Sequence, residues 1–472
     1  MSVLKEAPAT SEQSNSLIGS APHSEAGPVE SLDGLQTPPA IRWPRPVQVY
    51  WFGSLQWNFM FHHRKKFGDV WLARGYVRGQ TATTSHPDHI ASVFKAPPDL
   101  VPTLAAESPL RPVLGAGSVL TSNGPRHLRQ RKLLLPPFHG EAIARYQQMI
   151  ADAAEREIDR WPENRPFALA PRMQAITLDV IMAGIFGIEG RPRAGTAERG
   201  LRDSIKSLLW GSTRPGAKLA EWMNIGHDEP FGLTWLGLLI PDRYMYAVIR
   251  KRRRAADLEQ RTDIMSLIMR ARTEDGETLT DEELRDELMT LVLAGHETTA
   301  NQLAWAWERL VRTPAAHERL IESVRGDCTD ADDVVEATIN EAMRVRPVIP
   351  VTGRRVTVPW RLGDYGVPAD SGIAVSILLL HHREDLYPDP FSFRPERWIG
   401  HKPGTYEWLP FGGGTRRCLG AALAMAEQRV VLRAMAARLD LEAADDRPER
   451  PKHRNVTMIP ARGGRVVIRS KR

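Results

Sequence analysis

The stretch Phe411–Gly420, FGGGTRRCLG, sets one cysteine, Cys418, between a glycine-rich turn and an apolar helical pattern. Glycines allow a tight turn with positive φ and the close approach of a flat ligand. Leu419, Leu423, Ala426 and Val430 then recur at helical spacing, so Cys418 falls where a helix N-terminus favours a sulfur anion. Arg416 adds a cation two residues away. A thiolate held in this way is placed to ligate iron, and on a haem iron a thiolate pushes electron density that favours O–O cleavage. The plainer alternative is a glycine-rich loop ahead of a buried structural cysteine. The rest of the chain has to separate the two.

Phe411, Gly414, Arg416, Cys418 and Gly420 resemble, position by position, the haem-binding loop of the cytochrome P450 monooxygenases. That resemblance implies haem b as cofactor and Cys418 as the iron ligand. It also implies a mainly α fold with a small β side and a long central helix over the haem.

Composition is compatible with this. The chain has 472 residues, 42% apolar, with mixed charge and a net charge of +6, enough to bury a large core. Its two cysteines, Cys328 and Cys418, exclude a disulfide framework and a cysteine-ligated iron–sulfur cluster, and fit a reducing cytoplasm. Cys328 lies in a polar run and reads as an exposed linker position. The basic balance comes without a nucleic-acid motif or a dense Lys/Arg tract beyond Lys251–Arg254. A docking face for an acidic electron donor is the better reading, with Arg129, Arg416 and Arg417 as its candidates. No Rossmann fingerprint or P-loop is present.

Residues 1–40 are rich in Ser, Ala, Glu, Gly and Pro and are expected to be a disordered tail with neither a signal peptide nor a membrane anchor. Residues 41–472 are expected to form a single catalytic domain. Short strands are expected over Asp69–Ala73 and Thr81–Thr84, a helix from Pro87, and mainly helix over 125–350. Strands return over Val351–Ala374, with turn signals at Gly363, Asp364 and Gly366. A last helix is expected over Leu419–Leu439, then terminal strands over Val456–Ile459 and Arg465–Ile468.

The second informative stretch is AGHETT, Ala294–Thr299, inside a helical pattern of about thirty residues. Thr280 and Glu283 form a capping box at its start, and Thr313-Pro314 stops it. An interior glycine, Gly295, costs about 1 kcal/mol relative to alanine, so something should offset that. His296-Glu297 lacks a second histidine four residues on and is no zinc-protease motif. By resemblance, Ala294 and Gly295 make room on the distal side of the haem, the helix opens locally, and Glu297 with Thr298 manages proton delivery.

Glu341 and Arg344, in EAMR, share one helix face, and Pro395-Glu396-Arg397-Trp398 follows at the expected distance. The resemblance implies a buried structural network of Glu341, Arg344 and Arg397 behind the cysteine loop. It further implies that His127, Arg131 and Arg354 meet the haem propionates, with Arg355 an open alternative to Arg354. Other histidines, including the pairs His62-His63 and His381-His382, read as surface or packing residues.

Three stretches are expected to line the substrate pocket: Val101–Leu120, Leu201–Tyr246 and Ile349–Thr352. In the second, Trp210, Trp222, Met223, Phe231, Trp235, Leu236, Leu239 and Ile240 suggest either core or a lipophilic channel. The implied activity is insertion of one oxygen atom from O2 into a lipophilic small molecule (fatty acid, terpenoid, steroid or polyketide-like). Electrons would come from ferredoxin and its reductase or from a flavodoxin-type donor. A peroxide-driven or redox-neutral haem-thiolate enzyme is the alternative, and a haem-based sensor a minor one.

Overall fold

A computed structural model describes residues 18–472, apart from 75–78, 108–109, 139, 191, 213–214 and 225–226. Its axis is the helix Asp281–Leu310, thirty residues long. The expected capping box starts it: Glu283 N–H donates to Thr280 Oγ1 at 3.1 Å, and Thr280 N–H donates to Glu283 Oε2 at 3.1 Å. Asp281, Glu282 and Glu283 occupy the first turn, where carboxylates complement the helix dipole. The helix ends at Leu310, and Thr313 and Pro314 open the next one, Pro314–Arg325.

This long helix crosses the helix Leu169–Phe186, and the two share the main hydrophobic core. Gly295 lies at the crossing, where a Cβ would stand 3.1 Å from Ile181 Cδ1. Close helix contact thus offsets the cost of an interior glycine, alongside its place on the cavity wall. His296, buried one residue on, stitches the crossing through Thr177, whose Oγ1 lies 2.8 Å from His296 Nδ1 and 3.0 Å from its carbonyl. Leu169–Phe186 is the one described helix long and apolar enough to cross a membrane, and 67% of it is buried inside the fold.

The β side consists of small sheets. One has four strands in the order Val70–Ala73, Thr81–Thr84, Gly372–Ser376, Val351–Arg355. Its parallel pair sets Thr81 against Gly372, so distant parts of the chain close one sheet. Leu439–Ala443, Arg465–Lys471 and Phe167–Ala168 form a second sheet, and Pro451–Arg454 with Thr457–Pro460 forms a hairpin. The expected helices and strands are present within a few residues of the bounds read from sequence.

The disordered tail over 1–40 needs correction. Residues 1–17 lie outside the described residues, but 18–40 belong to the fold. Ala26–Pro28 pairs antiparallel with Trp360–Leu362, and the amide of Gly19 donates to the Leu386 carbonyl at 2.8 Å. Ser24 Oγ meets His89 Nε2 at 2.9 Å. Composition misleads here because backbone pairing onto an existing strand needs no apolar side chains of its own.

Candidate active site

The cysteine loop is built on close approach. Gly412 and Gly414 have φ of 64° and 65°. A Cβ on Gly414 would fall 2.3 Å from the Phe94 carbonyl oxygen, and one on Gly413 would fall 2.6 Å from the Phe94 ring. The end of helix Pro87–Lys95 therefore presses on the loop, and only glycine fits. Cys418 N–H donates to the Phe411 carbonyl at 2.9 Å, closing the turn, and Ala421–Arg438 follows as a helix. His381 supplies an anchor that the sequence reading took for mere packing. It is fully buried, burial lowers its pKa to about 3, and its neutral Nε2 accepts the Leu409 N–H at 2.8 Å.

The Cys418 sulfur opens onto a cavity and is walled by protein elsewhere. Burial pushes its pKa up, while the Gly420 N–H and then Arg131 and Arg417 pull it down. Arg416 is therefore not the cation beside the sulfur. Its Nη2 donates to the Ser122 carbonyl at 2.6 Å and to Asn123 Oδ1 at 2.8 Å, which turns it toward Arg131 and Arg354 instead.

The cavity measures about 1680 Å³, above the ~300–1,000 Å³ of a small-ligand pocket, so a cofactor and a substrate can share it. Ala294, Gly295, Glu297 and Thr298 line it together with Phe411, Arg416, Cys418, Gly420, His127, Arg131 and Arg354. Arg354 is buried, packs its guanidinium 5.3 Å from the centre of the Phe94 ring, and has its pKa lowered to about 10 by burial. Arg355 turns away to Glu107, Nη2 to Oε1 2.6 Å, and does not line the cavity. Burial lowers Arg416 to about 10 as well, with repulsion from Arg354 and Arg131 adding to it. His127 falls to about 4, first through burial and then through Arg416, Arg131 and Arg354. None of Arg131, Arg354 and Arg416 pairs with a carboxylate among the described residues. A cluster of cations that faces the cavity and pairs with no carboxylate among the described residues fits a ligand that brings carboxylates.

Across the cavity, Thr298 Oγ1 donates to the Ala294 carbonyl at 2.6 Å. The helix runs unbroken through this point, so the expected local opening is absent. A carbonyl has two lone pairs, and the hydroxyl bonds to one without displacing the backbone. Glu297 Oε1 accepts from Arg454 Nε and Nη2 at 2.8 and 2.5 Å and from Thr457 Oγ1 at 3.0 Å. Sequence reasoning missed Arg454, because nothing local links a terminal hairpin to residue 297.

Behind the loop, Glu341, Arg344 and Arg397 come together fully buried. Arg344 clasps Glu341 through Nε at 2.8 Å and Nη2 at 2.7 Å, and Arg397 Nε stands 3.4 Å from Glu341 Oε1. Arg394 N–H and Trp398 Nε1–H donate to the same carboxylate at 2.8 and 3.0 Å. Arg344 also donates to the carbonyls of His381, Pro390 and Ser392 at 2.7, 2.8 and 3.0 Å.

The pocket stretches divide. Leu104, Leu110, Val119, Ile349 and Thr352 line the cavity, as do Leu236 and Ile240. Trp210, Phe231, Trp235 and Leu239 are more than 40% exposed and do not line it, so the expected channel is narrower than the sequence suggested. The side chain of Trp222 lies outside the described residues. Phe52 and Phe59 of helix Arg45–Phe67 also form wall, which a helix with little apolar periodicity did not reveal.

Fold and cavity together define a haem-thiolate enzyme. The family model for cytochrome P450 matches residues 37–467. Cytochrome P450 137 of Mycobacterium tuberculosis is 36% identical over 456 residues, covering 93% of each chain. Cytochrome P450 135B1 of Mycobacterium bovis is 36% identical, covering 89% of this chain and 90% of the relative. A cyanobacterial cytochrome P450 solved with retinoic acid bound superposes with a TM-score of 0.76 at 20% identity, covering 92% of this chain and 100% of that one. The chain belongs to the cytochrome P450 family. It is accordingly a monooxygenase, and its cofactor is haem b.

Proposed function

We propose that this enzyme inserts one oxygen atom from O2 into a lipophilic small molecule, by hydroxylation or epoxidation, using electrons from a separate ferredoxin or flavodoxin-type protein. The observation that carries this is the single cavity joining Cys418, a carboxylate-free cation cluster and a largely apolar wall. Cys418 would ligate the iron, and His127, Arg131, Arg354 and Arg416 would hold the two propionates. Arg354 takes this place over Arg355 because Arg355 is committed to Glu107. When bound, the haem supplies the redox chemistry of O2 activation. The protein contributes the rest. Gly295 and Ala294 keep the distal wall low, Thr298 Oγ1 lines the cavity as an acceptor while its own proton goes to the Ala294 carbonyl, and Glu297 is the acid that can supply protons there.

Apolar side chains such as Phe52, Leu110, Val119, Leu236 and Ile349 exclude water and favour an apolar substrate. With only Cys328 and Cys418 to guard from oxidation, a reducing cytoplasm suits the chain. The test is turnover of a panel of fatty acids, terpenoids and steroids with NADH, ferredoxin and ferredoxin reductase, compared with peroxide alone. Product that requires the donor proteins and O2 is expected. Product formed equally well from peroxide, with no gain from the donors, would favour a peroxide-driven enzyme.

A further inference from the structure

Glu297 is held from outside its own helix. Both side chains on its carboxylate, Arg454 and Thr457, belong to the hairpin Pro451–Pro460, and the ion pair is only 17% and 13% exposed. Thr457 Oγ1 also bonds back to the Arg454 carbonyl at 2.9 Å, so clamp and turn form one unit. The turn itself is tight, with Asn455 at φ 54°. His453, Asn455, Val456 and Thr457 line the same cavity as Thr298. His453 Nδ1 lies 3.2 Å from the Gly53 carbonyl, and its ring lies 5.8 Å from that of Phe52, itself part of the cavity wall. Glu297 meanwhile makes no hydrogen bond to Thr298 among the described residues.

One hairpin therefore touches the substrate space on one side and grips the acid on the other. We propose that Arg454 is a positioning residue for Glu297 and that the turn Asn455–Val456 is a latch, so that a ligand filling the cavity against the turn loosens the grip. This rests on the reading of Glu297 given above. Linkage makes the coupling reciprocal: whatever weakens the clamp must favour a ligand that presses on the turn, and the reverse. Removing the charge of either partner breaks the ion pair and weakens the clamp. Ligand affinity should therefore rise when Arg454 or Glu297 is made neutral.

The experiment titrates the haem-loaded protein with clotrimazole, a bulky azole that coordinates iron, and reads the Soret shift at neutral pH. It uses the wild type, Arg454→Gln, Arg454→Lys, Glu297→Gln and the double variant Arg454→Gln/Glu297→Gln. Haem content and thermal unfolding check that each variant is folded. Arg454→Gln and Glu297→Gln should each bind about five- to tenfold more tightly than the wild type, a modest coupling for linked sites. The double variant should match the singles, and Arg454→Lys should bind as the wild type does. Equal affinity in all five proteins would overturn the latch, as would additive effects in the double variant. A sample that binds haem without a thiolate signature would instead refute the underlying reading of the site.

Discussion

Glu427, two turns into the helix Ala421–Arg438, keeps its carboxyl Oε1 buried with no hydrogen bond among the described residues. Burial alone raises its pKa from 4.5 to about 8, so the folded protein holds a proton there that the unfolded chain releases. Its contribution is complete below about pH 4.5 and is lost as pH rises toward 8. Glu427→Gln should therefore flatten the fall in melting temperature between those limits and raise it at pH 8. Parallel curves for variant and wild type would contradict this. Thr298 makes a different case. Among the described residues its hydroxyl meets only the Ala294 carbonyl, and alanine is the better helix former, so Thr298→Ala should fold and bind haem normally. The rate of product formation should fall by roughly a hundredfold, the lower reach of a lost proton-transfer group, and product per NADH should drop as peroxide or water takes the electrons. Unchanged coupling would remove Thr298 from the proton path.

At the scale of elements, the irregular segment before the cysteine loop is held by a buried ion network rather than by regular structure. Arg344 ties Glu341 to three carbonyls of that segment. Arg344→Ala would leave the Glu341 charge buried with its chief partner gone, a loss of about 3–5 kcal/mol. The expected product is haem-poor or aggregated protein, measured as haem per chain after purification. Full haem occupancy would show the network to be dispensable. The spacing of Glu341 and Arg344, and the later Arg397, could be read from the chain because i,i+3 pairs lie on one face. Trp398 and the Arg394 amide could not, since their contacts depend on the path of a loop that lacks a periodic pattern. The N-terminal strand Ala26–Pro28 escaped for the opposite reason, as its stability comes from its partner strand and not from its own side chains.

Across the whole molecule, motifs dispersed from His127 to Gly420 converge on one cavity. The legible part was local chemistry: a cysteine after glycines, a capped long helix, and cations at helical spacing. Less legible was everything that depended on distant packing. Arg416 was expected beside the sulfur and instead joins Arg131 and Arg354, because Ser122 and Asn123 draw its guanidinium away. The hairpin that carries Arg454 meets the long helix only once the fold is complete. The central claim is that Cys418 presents a thiolate to haem iron in this cavity. The most direct test is the CO difference spectrum of the dithionite-reduced protein, with Cys418→His for comparison. The account predicts the strongly red-shifted Soret band of thiolate-ligated ferrous haem with CO in the wild type, and its loss in the variant. A wild-type band at the position of histidine- or thiol-ligated haem, or a band unchanged by Cys418→His, would contradict it.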